Sequence, residues 1–125
     1  MQNRWGRLES MARQEVAATI AALPAPLRER AAAVPVILGQ VPGQGLLEEG
    51  VEPDTLGLFS GPEFAFEEQS GGSLPARIDL FLANIWDEAG EDEAGFREEV
   101  RTTYLHELGH YLGLDEDDLF DRGLD

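Results

Sequence analysis

His106-Glu107-Leu108-Gly109-His110 places two imidazoles four residues apart, with a carboxylate beside the first. Few short patterns limit a fold more tightly. On a helix, four residues advance the chain by about 400°, so both rings project from one face about 40° apart and can reach a single metal ion. Glu107 lies about 100° from His106, placed to act on a water rather than to bind the metal itself. This is the H-E-x-x-H zinc signature, in which the glutamate serves as general base. The chain has only two histidines, and both are in the motif. The plainer alternative is a pair of buried histidines on a core helix.

The motif needs a rigid scaffold, and the surrounding residues supply one. The spacing predicts a helix from Glu93 to Leu112, opened by acidic Glu91, Asp92 and Glu93, whose charge suits the positive end of the helix dipole. Val100, Tyr104, Leu105, Leu108 and Leu112 fill a wide apolar arc, leaving a narrow polar strip at Glu98 and Thr102. A helix so apolar around its circumference is central. Gly109 costs about 1 kcal/mol relative to alanine inside a helix, which suggests a close approach by another backbone or by substrate. Gly113, between Leu112 and Leu114, matches a left-handed C-cap. The chain can reverse there and carry Asp115-Glu116-Asp117-Asp118 back toward the histidines.

With no cysteine in the chain, disulfides, thiolate ligands and cysteine nucleophiles are excluded. A zinc ion would be held by histidine nitrogen and carboxylate oxygen, a donor set more typical of catalytic than of structural sites. Three protein ligands and one open position are usual there, so one carboxylate of the acidic cluster is the expected third ligand. The 25 acidic against 9 basic residues give a net charge of −16, which repels phosphate backbones and anionic membranes. Nucleic acid is therefore not an expected partner. The charge either attracts cations and basic peptides or simply keeps the surface solvated.

At 125 residues and 42% apolar, the chain reads as one globular domain over 1–125. No run of about 18 apolar residues exists to span a membrane. Val16 to Leu23 is short enough for a signal-peptide core, but Glu9 and Glu15 interrupt the basic residues before it. The expected compartment is the cytoplasm. Trp5, Leu8, Ala12, Val16, Ile20 and Leu23 step by three or four, predicting an amphipathic helix over Trp5–Leu23 ended by Pro24 and Pro26. Leu27–Ala33 reads as a short second helix. Val34–Leu38 reads as a strand whose Pro35 puts it at a strand start or on an edge. Pro42-Gly43-Gln44-Gly45 reads as a turn.

Thr55–Phe59 and Ala76–Leu82 are the other strand candidates, and Leu82–Glu88 a short helical segment. The strand Arg77–Leu82 is read either as an ordinary sheet strand or as an edge that pairs with extended substrate. The Gly-, Ser-, Pro- and Glu-rich connection Ser60–Pro75 is either a hairpin tip or a flap over the site.

His106-Glu107-x-x-His110-x-x-Gly113-x-x-Glu116 resembles the extended motif of the zincin metallopeptidases, in which the third ligand stands ten residues after the first. No methionine follows the motif, so the methionine turn of the metzincin branch is absent. Only 15 residues follow His110, which leaves little room for the distant glutamate of the thermolysin-like branch. The chain is more similar to the small single-domain bacterial zincin-like metallopeptidases. The likeness covers a first helix ending in Leu23-Pro24, the strand Val36-Ile37-Leu38, Leu56-Gly57-Leu58-Phe59-x-Gly61, Leu74-Pro75-x-Arg77-Ile78-x-Leu80-Phe81, and the motif helix with its acidic cluster. It implies an α+β minimal zincin-like fold, a small mixed sheet packed against a central active-site helix.

The expected function is zinc-dependent peptide hydrolysis, with His106, His110 and Glu116 as metal ligands and Glu107 as general base on a zinc-activated water. Asp117 is the runner-up for the third ligand, and Asp118 and Asp121 are candidates to orient the imidazoles. The expected partner is a peptide or protein substrate. Oligomeric state stays open, a monomer being compatible. No oxyanion-stabilising group stands out: Tyr104 and Tyr111 fall on the apolar arc, and Arg77 reads as a surface residue that could also serve. The alternative function is a non-catalytic metal- or peptide-binding module that keeps the zincin fold.

Overall fold

A computed structural model describes residues 3–64 and 75–114. It shows an α+β fold in which a three-stranded mixed sheet and the surrounding helices pack around one long C-terminal helix. Helix α1 spans Arg4–Ala21, and Asn3 caps it by accepting the Gly6 N–H at 2.8 Å. Its inward face is Leu8, Met11, Ala12, Val16 and Thr19, flanked by half-buried Trp5 and Ile20. That packed stripe makes Val16–Ala21 part of a core helix, as the helical spacing indicates, although the helix ends two residues before the expected Leu23. Helix α2, Ala25–Ala32, has Pro26 in its first turn, where the missing N–H removes no helical bond, and it buries Leu27 and Ala31.

Strand β1 is Val36–Gly39, β2 is Gly57–Ser60 and β3 is Arg77–Phe81, in the order β1-β3-β2. β1 runs parallel to β3 with Leu38 opposite Leu80, and β2 runs antiparallel with Phe59 opposite Ile78. Pro35 satisfies both of its expected roles, since it precedes β1 and β1 flanks the sheet. Its carbonyl accepts the Ile78 N–H at 3.0 Å.

Two expectations are corrected. The segment Pro42–Gly45 does more than turn the chain: Gly43 is the N-cap of helix α3, Gln44–Glu48, and its carbonyl accepts the N–H groups of both Leu46 and Leu47 at 3.1 Å. The Pro-Gly pair dominates the local pattern, while the helix-forming Leu46, Leu47 and Glu48 carry the turn onward. Second, the strand Arg77–Leu82 is no edge. β3 is flanked on both sides, and the unbroken burial of Ile78, Asp79, Leu80 and Phe81 marks a central strand. Among the described residues, the strand beside the motif helix with a free side is β2.

Helix α4, Leu82–Glu88, follows β3 directly and buries Leu82 and Ile85. Helix α5, Glu93–Leu112, has the predicted bounds. Asp92 caps it, its carboxylate accepting the Gly95 N–H at 2.7 Å. Phe96, Val100, Tyr104, Leu105, Leu108 and Tyr111 are buried, and α5 packs against α1, α4, β2 and β3. Each such side chain contributes roughly 1.5–3 kcal/mol on burial, so α5 is the best-anchored element of the fold. It ends at Gly113, whose φ of 72° and ψ of 28° are left-handed, with the Leu114 N–H bonded back to the Gly109 carbonyl at 2.8 Å. Among the described residues, no helix is long and apolar enough to cross a membrane.

Candidate metal centre and adjoining cleft

His106 and His110 lie on the exposed side of α5, with Glu98, Arg101 and Thr102 exposed before them. Their Nε2 atoms stand 3.2 Å apart, with ring centroids separated by 4.7 Å and planes inclined at 59°. Both residues are exposed, which removes the alternative of a buried histidine pair on a core helix. Two corners of a tetrahedron around zinc, at Zn–N distances of about 2.0–2.1 Å, lie about 3.3 Å apart. The observed separation fits that spacing. One ligand atom each from His106, Glu107 and His110 falls within 4.8 Å of the others, a group able to hold a metal ion.

Glu107 differs from its neighbours because it is only 9% exposed. Its Oε1 accepts the Phe59 N–H at 3.0 Å. The sheet register explains why that donor is available. The Phe81 N–H donates to the Leu56 carbonyl at 2.9 Å, so Leu56, Leu58 and Ser60 turn their peptide groups toward β3, while Gly57 and Phe59 turn theirs outward, toward α5.

The approach of β2 to α5 depends on Gly57. A Cβ there would lie 2.6 Å from Thr103 Cγ2, 3.3 Å from Glu107 Cγ and 3.3 Å from the Asp79 carbonyl oxygen. Any side chain there would crowd β2 against α5. Sequence reasoning passed over both Gly57 and the Phe59 N–H. The available signal was a glycine inside a strand pattern, which marks a close backbone approach.

Between the start of β2 and α5 lies a cleft of about 260 Å³, lined by Leu56, Gly57, Glu99, Thr102, Thr103, His106 and Glu107. It runs from the histidines toward the N-terminal half of α5.

The remaining candidates separate cleanly. Arg77 is committed to Asp79, with Nε 2.9 Å from Oδ2 and an Nη 2.7 Å from Oδ1. The hydrogen bonding and charge of Asp79 together raise the Arg77 pKa. Tyr104 is fully buried, and burial pushes its phenol up to about 12. Tyr111 is buried too, its ring 5.9 Å from Phe59 and 6.0 Å from Phe64. Both tyrosines are core residues, as their place on the apolar arc indicates. Glu116, Asp117, Asp118 and Asp121 lie outside the described residues, as does most of the Ser60–Pro75 connection.

Against known families, the model for zincin-like metallopeptidases matches residues 31–124. The chain belongs to this family. The match takes in β1, β2, β3, α5 and the acidic segment after Gly113, so the zincin-like fold and the position of the motif helix agree. Membership implies a metal ion, usually zinc, and a peptide substrate at the level of the family. No curated protein matches the chain significantly.

Proposed function

We propose that this chain is a zinc-dependent peptidase, with His106, His110 and Glu116 holding the ion and Glu107 as general base. The observation that carries the reading is the pair of Nε2 atoms 3.2 Å apart on two exposed histidines, beside a sheltered carboxylate, on the helix that packs against α1, α4, β2 and β3. When bound, zinc would supply Lewis acidity that activates water near neutral pH and polarises a carbonyl. Glu107 would accept a proton from the attacking water and deliver it to the leaving amine. The Phe59 N–H holds Glu107 Oε1, leaving Oε2 to receive the proton. The left-handed cap at Gly113 ends α5 just before the acidic segment, which supports a third ligand from Glu116. An extended substrate lies beside β2 at the cleft, next to Leu56 and Gly57, while the Phe59 N–H stays with Glu107.

Zinc titration of the metal-stripped chain tests the assignment of the histidines. About one tightly bound ion per chain is expected, with the affinity lost in His106→Ala and in His110→Ala. Binding left intact by both substitutions would return the two imidazoles to a purely surface role.

A further inference from the structure

Two helical turns before His106, α5 carries Glu99 on the histidine face. Seven residues advance a helix by about 700°, so the two positions lie nearly in line and about 10 Å apart along the axis. Both residues line the cleft beside β2. Thr102 and Thr103 form its floor between them, and Leu56 and Gly57 form the facing wall. The Thr103 hydroxyl faces Glu99 Oε1 in a long, weak donor contact of 3.5 Å. Glu99 is half-buried. The ion pairs among the described residues are Arg7–Glu93, Arg13–Glu9, Arg77–Asp79 and Arg97–Glu15, and none involves Glu99. The cleft therefore combines an apolar wall, hydroxyl groups and two carboxylates, Glu107 beside the histidines and Glu99 two helical turns from them.

We propose that this cleft is a side-chain subsite in which Glu99 selects a lysine or arginine two to three residues from the cleaved bond. The inference rests on the peptidase reading of the metal centre. An extended peptide advances about 3.3 Å per residue, so a span of about 10 Å corresponds to that separation. The methylene stem of the incoming side chain lies against Leu56, and its charged head meets the Glu99 carboxylate. A half-sheltered carboxylate gives a charge-assisted hydrogen bond worth more than a fully exposed ion pair. The net charge of −16 also draws in cationic peptides, but without choosing a position along them.

The test is peptide binding to zinc-loaded Glu107→Gln protein, and in parallel to the metal-stripped wild type. Labelled N-acetylated peptides of one sequence carry lysine, or its uncharged counterpart norleucine, at one position at a time. Lysine at a single position should bind about 3- to 10-fold tighter than norleucine. The preference should disappear in Glu99→Gln and persist in Glu98→Gln, which removes the same charge from an exposed position outside the cleft. A preference equal in both variants, one spread evenly along the peptide and erased by salt, one seen only with a free α-amine, or no binding by any peptide would each overturn the proposal. If the wild type cleaves peptides with no dependence on Glu99, the peptidase reading stands and the subsite falls. If lysine-selective binding depends on Glu99 but nothing is cleaved, the subsite stands and the peptidase reading falls.

Discussion

The carboxylate of Glu107 accepts the Phe59 backbone N–H at 3.0 Å, joining the motif helix to the outward side of β2. This bond ties the proposed general base to the strand along which substrate would lie, so the register of β2 and the aim of Glu107 are set together.

Gly57→Ala should disturb that coupling. The added methyl meets Thr103 Cγ2 at 2.6 Å and must push β2 from α5, an overpacking cost of about 1–3 kcal/mol. Chemical denaturation should show the loss. Thr103→Ser removes the opposing methyl, and adding it to Gly57→Ala should recover part of the stability. A double variant no more stable than Gly57→Ala alone would show that this contact does not limit the approach.

The third metal ligand can be separated from its neighbours by substitution. Zinc affinity should fall sharply in Glu116→Ala and stay near wild type in Asp117→Ala, since a catalytic site keeps three protein ligands. The opposite ranking would assign the role to Asp117.

Arg77→Ala should reduce stability rather than turnover per folded molecule. It leaves the Asp79 carboxylate, whose side chain is 9% exposed, without its two guanidinium donors, at a cost of about 1–3 kcal/mol. A variant that keeps its denaturation midpoint but loses turnover would instead place Arg77 at the reacting carbonyl.

Tyr104 offers a pH test of the core. Its hydroxyl is buried without a hydrogen-bond partner among the described residues, and its pKa is pushed up to about 12, above the ordinary value of 10.0. The native state thus holds this proton more tightly than the unfolded chain. The resulting stability is present below pH 10 and is lost as pH rises through about 12. Tyr104→Phe should flatten that part of the alkaline loss. Near neutral pH it should be neutral or stabilising by about 1 kcal/mol, because an unpaired buried hydroxyl is removed. Identical alkaline profiles for the two proteins would contradict the assignment.

Much of this architecture is legible along the chain because the informative signals are local. The three-to-four-residue stepping of Leu8, Ala12 and Val16 reports the buried face of α1, and Gly113 after Leu112 reports the end of α5. The His106–His110 pair follows from helical spacing alone. The missed features depend on contacts between distant segments. Alternation in Arg77–Phe81 indicates a strand but not its neighbours, so its central place had to come from the sheet. The Phe59 N–H belongs to the backbone and leaves no trace in residue type. Glu99 reads as one more acidic residue until β2 is set against α5 and a cleft forms around it.

Hydrolysis by the zinc-loaded chain and by Glu107→Gln, over a mixed library of unstructured peptides near neutral pH, addresses the peptidase assignment most directly. The substitution keeps the side-chain shape and an oxygen able to accept the Phe59 N–H, but it removes the base. The expected result is cleavage by the wild type and a fall of about 10² to 10⁴ in rate for Glu107→Gln, with zinc affinity nearly unchanged. No cleavage by the zinc-loaded wild type, or equal cleavage by the two proteins, would contradict the assignment and favour a metal- or peptide-binding module built on the zincin fold.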